Sequence, residues 1–219
     1  MRLRVMVWNV HGFRAGASRM ADAAAAEEPD VLIVNETGWF GIRLRRFSRR
    51  VAMRPATGLR GFRRIRNAVL VRAPWRIVGR QVIRFPRAGG NRLRGIVLAA
   101  VGRAGRRLSV GAVHLGLSAK ERTEHVRELT DVLAGHDAVL VGGDLNEGPD
   151  GPAVTWIAGR LWDVLKDGGE ATFPSRAPTT RIDYLFVSEG VTPERAWTGG
   201  ERFADLSDHL PVVADLSVD

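Results

Sequence analysis

Short apolar runs bounded by turn residues recur along the chain, and they constrain its architecture more than any other feature. Eight stand out: Val5–Val10, Val31–Val34, Ala68–Val71, Ile96–Val101, Ser109–Val113, Ala138–Val141, Tyr184–Val187 and Leu210–Leu216. Runs of this length between Gly, Pro and Asp/Asn clusters read as buried strands. Helical signals fall between some of them. Ser18–Glu28 is Ala-rich and ends before Pro29, Ser118–Gly135 opens with the capping box Ser118-Ala119-Lys120-Glu121, and Pro152–Gly159 follows the loop after Asn146. The middle, from about Arg49 to Val113, reads as strands joined by Gly turns such as Ala88-Gly89-Gly90 and Ala104-Gly105. This pattern predicts an α/β fold with mixed sheets, two of them packed together with helices outside, in one domain over 1–219.

Several runs stop at a residue type that binds hard cations or phosphate. Val-Met-Val-Trp stops at Asn9, Val-Leu-Ile-Val-Asn at Glu36, Val-Gly-Ala-Val at His114, and Ala-Val-Leu-Val-Gly-Gly at Asp144, with Asn146 two residues on. Polar groups at strand exits line one sheet edge, where open α/β sheets place ligands. Arg181-Ile182-Asp183-Tyr184 enters another run, and Ser207-Asp208-His209-Leu210-Pro211 precedes the last.

Composition narrows the chemistry. The absence of Cys excludes disulfides, Cys zinc sites, iron-sulfur clusters and thiol catalysis, and five His without Cys disfavour a dedicated zinc site. There is no Gly-x-x-x-x-Gly-Lys-Ser/Thr loop, His-Glu-x-x-His helix or Gly-x-Ser-x-Gly elbow. Met1-Arg2-Leu3-Arg4 runs straight into a strand-like stretch, and no apolar run approaches the ~20 residues of a membrane span, so a cytoplasmic location is the expectation.

The net charge of +9 hides an asymmetry. From Thr37 to Lys120 there is no acid: these 84 residues hold twenty Arg and Lys120, a charge of +21, against −12 for the remainder. Arg outnumbers Lys 31 to 2, which is explained by a coding bias, but such a bias does not remove acids. A polyanionic partner is one candidate reason for their absence.

Taken in order, Trp8-Asn9, Asn35-Glu36, Val113-His114-Leu115, Gly143-Asp144-Leu145-Asn146, Arg181-Ile182-Asp183-Tyr184 and Ser207-Asp208-His209-Leu210-Pro211 resemble the endonuclease/exonuclease/phosphatase superfamily. That superfamily includes deoxyribonuclease I, exonuclease III, the inositol polyphosphate 5-phosphatases and the neutral sphingomyelinases. The resemblance implies a four-layer α/β/β/α sandwich and a metal-dependent phosphoesterase using magnesium or manganese. By the same resemblance Glu36 is the principal metal ligand, with Asn9 and Asp208 close by, directly or through water. Asp144 and Asn146 would orient the attacking water and the scissile phosphate. His209 would be the acid/base or phosphate-stabilising imidazole, its tautomer fixed by Asp183.

His114 is similar to the deoxyribonuclease I, 5-phosphatase and sphingomyelinase branches, and the one Tyr, Tyr184, lies inside the Asp183 motif, which disfavours an abasic-site repair enzyme. The acid-free stretch supplies no carboxylate to orient His114, leaving it either a proton donor or a plain hydrogen-bond donor to phosphate. His11, His125 and His136 match no motif. For substrate binding, Arg43, Arg45, Arg46, Arg60, Arg63, Arg64 and Arg66 crowd the region after Glu36, and Asn67 is a further candidate contact. The leading expectation is a nuclease with low sequence preference, an endonuclease ahead of an exonuclease and DNA ahead of RNA. The alternatives are a phosphatase or phospholipase on an inositide or sphingolipid head group, and a catalytically silent basic nucleic-acid-binding module.

Overall fold

The computed structural model describes residues 1–38, 41–57, 65–87, 93–166 and 170–219. In chain order the elements are β1 Arg2–Asn9, α1 Ala17–Ala25, β2 Val31–Asn35, α2 Ile42–Arg50, β3 Arg54–Thr57, β4 Ala68–Val71, β5 Arg76–Arg84, β6 Gly95–Arg103, β7 Arg106–His114, α3 Ala119–Leu133, β8 Val139–Asp144, α4 Pro152–Ala158, β9 Trp162–Asp163, β10 Asp183–Val187, β11 Val191–Thr198, α5 Glu201–Ala204 and β12 Val212–Val218. They form two six-stranded sheets, ordered β11-β12-β1-β2-β4-β3 and β5-β6-β7-β8-β10-β9. Both are mixed: β1–β2 and β7–β8 run parallel, and the other pairs antiparallel.

Alternation along the strands builds the layers. In β1, Val5 and Val7 face a core shared with Val97, Val110, Leu140 and Leu185 of the other sheet. Met6 and Trp8, of opposite parity, pack instead with Met20 and Ala24 of α1 and Leu44 and Phe47 of α2. On the far side, Ile96, Val113, Val141 and Phe186 meet Val126 and Leu129 of α3 and Ala153 and Ile157 of α4. The result is helix, sheet, sheet, helix, the expected sandwich. The central strands, covered on both faces, therefore read as near-continuous apolar runs, whereas the edge strands β3, β5 and β11 are partly exposed.

The short β9 and α5 escape the sequence reading, and so do two longer elements. Helix α2 carries five Arg in nine residues, which hides its apolar pair Leu44 and Phe47, the i,i+3 positions that bury it. Strand β11 contains Pro193 and shifts register between Pro193 and Arg195, both tolerated because it is a sheet edge. The turn at Ala104-Gly105 closes the β6–β7 hairpin with both residues at positive φ, whereas Ala88-Gly89-Gly90 lies outside the described residues. The Ser118/Glu121 capping box forms on α3.

Candidate active site

The strand register brings the polar strand ends to one edge. Asn9 lies opposite Asn35, and Asp144 lies opposite both His114 and Asp183. The two sheets are stitched there by Asn35, whose Nδ2 donates to Val113 O at 2.8 Å and whose Oδ1 accepts from Asp144 N at 3.1 Å. Gly142 and Gly143 make this approach possible. A Cβ on Gly142 would meet Val7 Cγ2 at 2.7 Å, and one on Gly143, at φ 147°, would meet Val113 O at 1.9 Å. The Gly-Gly before Asp144 is thus a packing requirement that sets the aspartate beside the other sheet.

The centre of the edge is a buried cluster. Asp144 Oδ2 accepts from Asn9 Nδ2 at 2.9 Å and lies 3.2 Å from His114 Nε2 and 3.9 Å from His209 Nε2. His209 Nδ1 donates to Asp183 Oδ2 at 2.8 Å, and the same oxygen accepts from Thr172 Oγ1 at 2.7 Å. The loop carrying His209 is held on β1: Trp8 Nε1 donates to His209 O, and Ser207 Oγ donates to Asn9 O. Asn146 Nδ2 donates to Leu115 O, and its backbone N–H donates to Asp144 Oδ1.

Opposing forces set the charges. Burial disfavours an imidazolium at His209, but Asp183, Asp144 and Asp208 outweigh it and push the ring up to about 10. With Nδ1 and Nε2 both carrying protons at neutral pH, each nitrogen faces a carboxylate. Burial also works against an ionised Asp144, yet the charged His209 ring and the Asn146 N–H favour the carboxylate, which lies below the usual range. At His114 burial prevails, aided by Arg94, and the ring falls below its ordinary value and is neutral at pH 7.

Glu36 leaves β2 at φ 56°, a left-handed conformation that few non-glycine residues adopt, and it is pinned there because Gly12 N donates to its carbonyl at 2.8 Å. It borders a cleft of about 490 Å³ lined also by His11, Arg14, Ile42, Arg43 and Arg66. A second cleft, past His11 and Arg14, is bordered by Ser207, Asp208 and Arg176. Asp208 Oδ1 sits 3.1 Å from His11 Nδ1, so His11, which no motif singled out, lies between the two clefts. Its signal was only its position two residues after Asn9, whose Oδ1 accepts its backbone N–H.

The other substrate-contact candidates divide. Arg43 lines the first cleft while donating to Gly12 O, and Arg66 lines it half-buried. Arg45 is exposed on α2, and Arg46 donates to Ser18 of α1, as Arg50 pairs with Asp22, so part of the basic run holds the two helices together. Arg60, Arg63 and Arg64 lie outside the described residues. Asn67 departs from its expected role: it is buried, and its Nδ2 donates to Gly95 O and Ala112 O of the other sheet, a structural stitch like that of Asn35. His125 is also structural, taking Gly116 N–H on Nδ1 and reaching Pro86 O with Nε2.

A family model described as the Endonuclease/Exonuclease/phosphatase family matches residues 6–209. The chain belongs to that family. Its members are hydrolytic phosphoesterases that typically use divalent metals. Solved structures agree in fold. The endonuclease/exonuclease/phosphatase from Beutenbergia cavernae DSM 12333 is 26% identical, with a TM-score of 0.74 over 99% of this chain and 72% of that one. A protein of the same description from Bacteroides vulgatus is 16% identical, with a TM-score of 0.84 over the whole of both chains. D. rerio TDP2 complexed with single strand DNA product is 20% identical, with a TM-score of 0.79 over 99% of each. No curated protein matches the sequence.

The family's divalent metal fits the donor chemistry of this edge. Among the described residues, Asp144, Asp183 and His209 form a group whose ligand atoms lie within 4.8 Å of one another, and Asp183 Oδ1 is a buried carboxylate oxygen with no protein donor. Carboxylate oxygens of this kind suit a hard cation, whereas His209, protonated on both nitrogens at neutral pH, offers it no lone pair.

Proposed function

We propose that this protein is a magnesium- or manganese-dependent phosphodiesterase acting on nucleic acid, an endonuclease with low sequence preference. The observation that carries the reading is the adjacency of two features. One is a buried imidazolium flanked by two aspartates; the other is a cleft lined by Arg14, Arg43 and Arg66 that begins at Glu36 on the same edge. The first suits displacement at phosphorus, and the second suits a substrate carrying further phosphates.

In this reading Glu36, with Asn9 and Asp208 nearby, would hold the metal, which when bound neutralises phosphate oxygens and the charge on the leaving group. The chain's own groups do the rest. Asp144, kept ionised and fixed by Asn9 and the Asn146 N–H, accepts a hydrogen bond from the attacking water and aligns it. His209, charged at neutral pH, donates through Nε2 to an oxygen of the reacting phosphate, while Asp183 and Thr172 hold Nδ1 in place. Basic groups on both sides of the His11–Asp208 pair favour a strand that continues past the site, hence cleavage inside a chain. The neighbour solved with a single strand DNA product supports DNA as the substrate to test first.

The test is one preparation assayed with magnesium and with chelator on supercoiled plasmid, single-stranded RNA, a phosphoinositide and sphingomyelin. Metal-dependent plasmid nicking that disappears in Glu36→Gln is the expected result. Lipid turnover with no cleavage of either nucleic acid would overturn the reading, as would nicking that survives the substitution.

A further inference from the structure

Arg94 stands where the sequence offered His114 no carboxylate. It is the residue before β6 and is buried, with 5% of its surface exposed. Its backbone is tightly placed. Phe85 N donates to its carbonyl at 3.1 Å, and the following Gly95, at φ 155°, has no room for a Cβ, which would lie 2.1 Å from Ile83 O. Asn67 reaches across from the other sheet to hold Gly95 O at 3.0 Å. Both sheets thus fix the point from which the Arg94 side chain departs.

The Arg94 Nη1 donates to His114 Nε2. A guanidinium has no lone pair to offer, so this contact makes Nε2 an acceptor and leaves the ring proton on Nδ1. The same Nε2 lies 3.2 Å from Asp144 Oδ2, at the centre of the site. Asp144 favours a proton on this nitrogen, but Arg94, which can only donate, takes its lone pair and puts a planar, permanently charged fork beside the reacting position. Such a fork matches the oxygens of a phosphate, and a buried one is strengthened by exclusion of water.

We propose that Arg94 is a substrate-binding residue, holding a non-bridging oxygen of the scissile phosphate, with His114, whose Nε2 accepts from it, as its support. The proposal rests on the phosphodiesterase reading of the same edge. It names the group that would bear the transferred phosphate's charge opposite His209, a role that Arg43 and Arg66, at the cleft, leave open.

Inorganic phosphate titrated into metal-free protein, in chelator, tests this without requiring turnover. Wild type is expected to bind saturably, Arg94→Gln to weaken the affinity about ten- to a hundredfold, and Arg94→Lys at least about threefold, because lysine keeps the charge and loses the fork. In wild type, nitrogen shifts of labelled histidine should report a bare Nε2 and a protonated Nδ1 on His114. No saturable binding by wild type, an affinity within twofold of it in a folded Arg94 variant, or a protonated His114 Nε2 would each overturn the proposal. Should Arg94→Gln fail to fold, Arg94→Lys alone decides. Arg94-dependent phosphate binding without nucleic-acid cleavage would sink the nuclease reading and keep this one; cleavage with Arg94 dispensable for phosphate would do the reverse.

Discussion

At His209, burial favours a neutral ring and three aspartates favour a charged one, and the aspartates prevail. In metal-free protein the ring should titrate near 10 by NMR, and Asp183→Asn should bring the midpoint down by more than a unit; a wild-type midpoint close to 6.5 would contradict the assigned charges. The same displacement makes stability depend on pH. A group whose pKa rises on folding stabilises fully below its unfolded value, about 6.5 for His, and the contribution is lost as pH rises through the folded value. The unfolding free energy should therefore decline from about pH 6.5 toward 10 in wild type, with a shallower slope in His209→Gln. Thr172 acts on this ring through Asp183 Oδ2. Thr172→Val should lower kcat about tenfold with little change in KM and shift the His209 midpoint, whereas a purely structural role would leave that midpoint in place.

Between elements, the site depends on how closely two sheet edges approach. Gly143→Ala puts a methyl into Val113 O and an alanine at φ 147°, and should cost about 2–4 kcal/mol in urea unfolding, the range of combined overpacking and backbone strain; a loss under about 0.5 kcal/mol would mean the edge is looser than described. The strand runs were readable because both faces of each sheet are covered, and Asn9, His114, Asp144 and Asp183 were readable because they end or begin those runs. Helix α2 was not, since arginines occupy five of its nine positions and mask its two apolar anchors. Nor were Arg94, Thr172, His11 and the stitching roles of Asn35 and Asn67. Each acts on a partner in another element, as Asn35 does on Asp144 109 positions away, and no local pattern encodes such a pairing. Asn67 shows the converse hazard: an amide beside a basic run looks like a substrate contact until its donors are found on carbonyls of the facing sheet.

Across the whole molecule, the acid-free stretch turns out to serve three purposes. Arg46 and Arg50 tie α2 to α1, Arg43 and Arg66 line the cleft beside Glu36, and Arg94 reaches the buried cluster. Among the described residues no helix is long and apolar enough to cross a membrane. If the cleft arginines hold phosphates, single-stranded DNA binding should weaken steeply with salt, and Arg43→Gln or Arg66→Gln should each reduce the slope of log K against log salt by about 0.7. An unchanged slope in both variants would place the strand elsewhere. Binding alone does not establish hydrolysis, and a single experiment separates the two. The most direct measurement is single-turnover cleavage of an internally labelled DNA strand in magnesium by wild type and His209→Gln, with the affinity for that strand measured in the same samples. The expected result is a rate loss of about a hundredfold or more with Kd within a few-fold of wild type. Cleavage by His209→Gln within tenfold of the wild-type rate would contradict it.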